Sequence, residues 1–119
     1  MLEPKLRDAL RGLAQAASEV SEVCDRDIQD FSMTWSRIAS NSRVLESSES
    51  VDPEDVRSLL GSIRGMFSYH PGSFMEAYIA RAGLDEMARE NERFDALKKR
   101  VSSAAAEVRA IMKIDPRSY

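Results

Sequence analysis

Pro4-Lys5-Leu6-Arg7-Asp8-Ala9-Leu10-Arg11-Gly12-Leu13-Ala14-Gln15-Ala16-Ala17-Ser18-Glu19-Val20-Ser21-Glu22-Val23-Cys24 is the stretch on which the fold turns. Its apolar positions Leu6, Leu10, Leu13, Ala17, Val20 and Cys24 recur in alternating steps of four and three. An α-helix gathers that spacing onto one stripe, whereas a half-buried strand needs alternation by two. Pro4 suits a first helical turn, where its missing N–H would have no intrahelical partner. The spacing predicts an amphipathic helix over about the first 26 residues. Cys24 falls on the stripe and reads as a small buried hydrophobe.

The pattern continues C-terminally. Ile28, Phe31, Trp35, Ile38 and Leu45 share a face, with Ser42 in the vacant place, so a second helix is predicted over residues 27–45. No Gly or Pro marks Asp25-Arg26-Asp27, which leaves two helices or one kinked helix as alternatives. Residues 46–52 are polar and Ser-rich and read as a loop. Asp52-Pro53-Glu54-Asp55 combines a capping residue, a proline at the first helical position and two acids suited to the helix dipole. Val56, Leu59, Leu60, Ile63 and Phe67 give that third helix its apolar face, which fades between Gly65 and Tyr69.

His70-Pro71-Gly72-Ser73 reads as a turn, since Pro71 disfavours helical geometry at His70. Ser73 and Glu76 have the spacing of a capping box and predict a fourth helix to about Arg81. Gly83 is expected to be a C-cap or a kink. A final helix is predicted from Leu84 to about Ile114, with Pro116 as its stop. Its apolar positions are Leu84, Met87, Phe94, Leu97, Val101, Val108 and Ile111, and Asn91 stands where an apolar residue is expected. At 1.5 Å per residue that helix is on the order of 45 Å long, enough to project or to lie along a partner. The expectation is one all-α domain over residues 1–119: an up-and-down bundle of four to five helices with a long C-terminal helix.

Composition narrows the function classes. The chain has 119 residues, 43% of them apolar and 31% charged, with one Cys and one His. A chain of this length buries a core without disulfides or metal. A single Cys24 and a single His70 give no multi-ligand metal set, and no cofactor or metal is expected. Gly-rich phosphate loops and nucleophile elbows are missing from the sequence, so no enzymatic activity is expected. The net charge of −3 argues against general nucleic-acid binding. Lys98-Lys99-Arg100 is the local exception and reads as a solvated helix face. No run approaches 18 apolar residues and no secretory signal is visible at the start, so neither a membrane span nor export is expected, and the cytoplasm is the expected location.

Two regions are candidates for contact with a partner. Glu19, Glu22, Asp25, Asp27 and Asp30 hold only Arg26 among them and read as an acidic patch that steers a basic protein. The stretch Gly65 to Tyr78 concentrates Met and aromatic residues, a composition enriched at interface cores. Within it Phe67 and Phe74 read as core, and Tyr69, His70 and Tyr78 as contact residues.

Gly65-Met66, Gly72-Ser73-Phe74-Met75-Glu76 and Glu90-Asn91-Glu92-Arg93-Phe94-Asp95-Ala96-Leu97 together give a resemblance. Over roughly residues 53–110 the chain resembles a family of small helical bacterial proteins of the immunity type. It departs from their pattern by the extra residues from Phe67 to Pro71. The resemblance implies a stoichiometric inhibitor of a cognate toxin or effector protein. The alternative is a homo-oligomeric helical protein, a homodimer built on the first and last helices, for which the four-three spacing of the first helix speaks.

Overall fold

A computed structural model describes residues 2–68, 73–77, 79 and 83–119. The described residues form four α-helices and no strand: α1 (Pro4–Asp27), α2 (Ser32–Glu46), α3 (Pro53–Met66) and the long α4 (Leu84–Met112). Single 3-10 turns lie at Gln29–Phe31, Phe74–Glu76 and Pro116–Ser118.

The stripe of α1 is the centre of the molecule. Leu6, Leu10, Leu13, Ala17, Val20 and Cys24 are all buried. α1 packs against both α2 and α4. Arg11 Nε donates to Glu46 at 3.1 Å near one end of the α1–α2 pair, and Ser32 Oγ donates to Asp25 at the other. The two helices therefore run antiparallel. α4 also runs against α1, since Gly12 and Ala16 lie beside Ser103 and Glu107 while Glu22 lies beside Glu90.

The α1–α2 boundary resolves as two helices. Ile28 leaves helical geometry at φ −140°, ψ 68°, outside both the α and the β regions. Its N–H still returns to Cys24 O at 2.9 Å, so the helix end stays closed. Turning there, and again at Gln29–Phe31, packs Ile28 and Phe31 against the core. The second helix consequently begins at Ser32 instead of Asp27.

α3 starts as its sequence dictates: Asp52 accepts from the Glu54 N–H at 2.9 Å, with Pro53 in the first turn. The helix predicted from Ser73 to Arg81 is not formed by the described residues. Phe74–Glu76 make a single 3-10 turn, the Ser73 side chain does not cap it, and Ala77 is extended at φ −67°, ψ 140°. The reason lies in α4. Asn91 Nδ2 donates to Ile79 O at 2.8 Å, and its Oδ1 accepts from Ile79 N–H at 2.7 Å. The side chain thus takes both backbone groups of Ile79, and residues 73–77 and 79 lie against α4 as a strap. Gly83, expected as a C-cap or kink, sits instead at the N-cap of α4 with φ 94°, a conformation that disfavours a Cβ.

α4 ends in a Schellman arrangement. Lys113 is left-handed at φ 55°, its N–H returns to Ala110 O, and Ile114 N–H returns to Arg109 O. Ile114 is thereby buried.

Candidate partner-binding end

The strap, residues 73–77 and 79, sets Phe74 against four other aromatic residues. Phe74 is buried and touches Phe31, Trp35, Phe67 and Phe94, with ring centroids 5.4, 5.1, 6.3 and 5.5 Å away. Most of these pairs are edge-to-face, the arrangement favoured by ring quadrupoles. Trp35 is fully buried, and its indole N–H has no acceptor among the described residues. Burying a Trp removes about 200 Å² from water, worth about 5 kcal/mol, against about 1–3 kcal/mol for an unpaired donor. Packing therefore dominates at this position.

Lys98 corrects the reading of Lys98-Lys99-Arg100 as a solvated face. Its side chain is buried, with Nζ 4.3 Å from the Phe94 ring centroid and 5.1 Å from that of Phe74. Nζ also reaches Ala77 O at 3.5 Å and Asp95 at 3.9 Å. The cation lies against two ring faces and tethers the strap. Burial pushes its pKa down, opposed by Asp95 and then Cys24. Lys99 and Arg100 are exposed, and Arg100 pairs with Glu19 at 2.7 Å. Burial, with Asp25 adding to it, pushes the Cys24 thiol up to about 12, in keeping with a packing residue.

The five acids separate into two groups. Glu19 joins α1 to α4 through Arg100. Asp25 accepts from Ser32 and ties the α1–α2 turn. Asp27 pairs with Arg26 at 3.2 Å. Glu22 and Asp30 are exposed and have no side-chain partner among the described residues. Tyr69, His70 and Tyr78 lie outside the described residues.

These acids and the strap occupy the same end of the molecule. A groove of about 250 Å³ runs between the C-terminal half of α1 and the N-terminal half of α4. Ile79, Val23, Phe94 and Leu97 give it apolar walls, and Glu19, Glu22, Arg26, Glu90 and Arg93 rim it. The sequence shows the acids and the aromatic stretch separately but not their meeting. The one signal for it was Asn91, a polar residue on an apolar stripe.

A second groove, of about 460 Å³, was not foreseen. It lies between α3 and α4, lined by Leu60, Ile63, Phe67 and Ala105, with Arg64 and Arg109 at its edges. The C-terminal turn closes part of it. Arg64 Nη1 donates to Pro116 O and Tyr119 O, each at 2.8 Å, and the guanidinium lies 5.8 Å from the Tyr119 ring centroid.

No helix among the described residues is long and apolar enough to cross a membrane. No family model, curated protein or solved structure matches the chain.

Proposed function

We propose that this chain is a small, non-catalytic binding protein of the immunity type. It neutralises a cognate toxin or effector protein by stoichiometric contact in the cytoplasm. Over all four helices we read its frame as an up-and-down bundle that holds the strap across one end.

One observation carries the reading: Glu19 and Glu22 of α1 rim the same groove that Ile79 of the strap helps to line. The free carboxylate of Glu22 beside the half-buried Leu97 is what a basic protein with an apolar anchor would engage. Charge there would speed encounter, and the apolar contacts would slow release. Glu22 and Asp30 are the acids that meet the partner, because Glu19, Asp25 and Asp27 have intramolecular partners.

The test is capture from the source cells with tagged wild-type chain and with Glu22→Lys/Asp30→Lys. Wild type is expected to retain one protein at a one-to-one ratio, less firmly at high salt, and the double variant to lose it. Retention by the double variant equal to wild type, at every salt concentration, would sink this surface.

A further inference from the structure

We propose that the exposed face of α4 pairs antiparallel with the same face of a second copy of this chain. At about 100° per residue, Leu84, Ala88, Asp95, Lys99, Ser102 and Ala106 point within about 60° of one another. All six are exposed, and Leu84, at 79%, is the most exposed large apolar side chain among the described residues. Charge along α4 changes sign. Asp85, Glu92 and Asp95 lie in its first half, Lys99 and Arg109 in its second. Asp85, Glu92, Lys99 and Arg109 have no side-chain partner among the described residues.

That gradient selects the occupant. Parallel pairing would set acid against acid, whereas antiparallel pairing sets acid against base. With the twofold axis beside Leu97, Asp95 of each copy faces Lys99 of the other, and Ala88 faces Ala106. The surface is then self-complementary, as a closed twofold interface requires. Leu84 of one copy arrives at Ala106 and Arg109 of the other, the mouth of the apolar groove between α3 and α4. The first helix takes no part, because its four-three stripe is spent inside the molecule.

Sedimentation velocity on the full chain across micromolar concentrations tests the pairing. Wild type is expected to sediment as a dimer that weakens with salt. Asp95→Lys and Lys99→Asp should each raise the dissociation constant on the order of tenfold or more, by setting like charges together twice. An equimolar mixture of the two variants should dimerise again, since opposite charges then face each other in both contacts. Leu84→Ser should weaken the dimer with the helical circular dichroism unchanged, and so remains informative if Asp95→Lys disturbs Lys98. A wild type that stays monomeric would overturn the proposal. So would variants that dimerise as tightly as wild type, or a mixture that stays monomeric.

Discussion

The strap end and the α3–α4 side of this molecule are both helical, yet they are packed by opposite means. At the strap end Phe31, Trp35, Phe67, Phe74 and Phe94 interlock, and Asn91 and Lys98 hold the backbone above them. On the other side α4 presents Ala105 and Ala106 toward Leu60 and Ile63, and a groove remains. Side-chain size makes the difference: large rings fill the space between helices that alanines leave open. A tight end can hold a fixed surface for a partner, whereas an open side has room for another body.

Phe74→Ala should break the tight end most severely. Loss of a fully buried ring in contact with four others should cost about 3–5 kcal/mol, read from the urea midpoint at unchanged slope. Asn91→Leu comes next. It restores the apolar stripe of α4 and improves helix propensity, yet it should destabilise by about 2 kcal/mol, because both polar groups of Ile79 lose their partner. Faster amide exchange at Ile79 than in α1 would show that the loss is local to the strap.

One pair of substitutions sharpens the contrast directly. Ala17→Leu inserts methyl groups where α1 is fully buried and should cost about 1–3 kcal/mol. Ala105→Leu adds the same atoms inside the open groove and should stay within about 0.5 kcal/mol of wild type. Equal costs at the two sites would mean that the α3–α4 side is packed as closely as the core.

Alkaline titration reads the same core chemically, with two contributions of opposite sign. The folded chain holds the Cys24 proton more tightly than the unfolded chain, so stability falls from pH 9 toward about 12. The folded chain holds the Lys98 proton less tightly, so stability rises between its depressed pKa and 10.5. Cys24→Ala should remove the fall and leave the rise, as seen in melting temperature against pH. A further Lys98→Met change should flatten the profile.

Much of the fold was legible because it rests on local chemistry. The α1 stripe, the Asp52-Pro53 start of α3 and the long last helix follow from periodicity and capping. The strap did not, because Ser73 and Glu76 have the spacing of a helix start while tertiary hydrogen bonds from Asn91 override it. Lys98 was misread for a related reason: the sequence shows a run of cations but not the ring faces waiting for one of them. The candidate site was legible in its parts. Its assembly depends on α1 and α4 running antiparallel, which no local pattern encodes.

The central claim is that Glu22 and Asp30 beside the strap form the surface that takes a basic protein partner. Capture by wild type and by Glu22→Lys/Asp30→Lys, side by side at low salt, tests it most directly. The expected result is a one-to-one partner on wild type and none on the double variant, with both chains equally folded by circular dichroism. An undiminished partner on the double variant would contradict it.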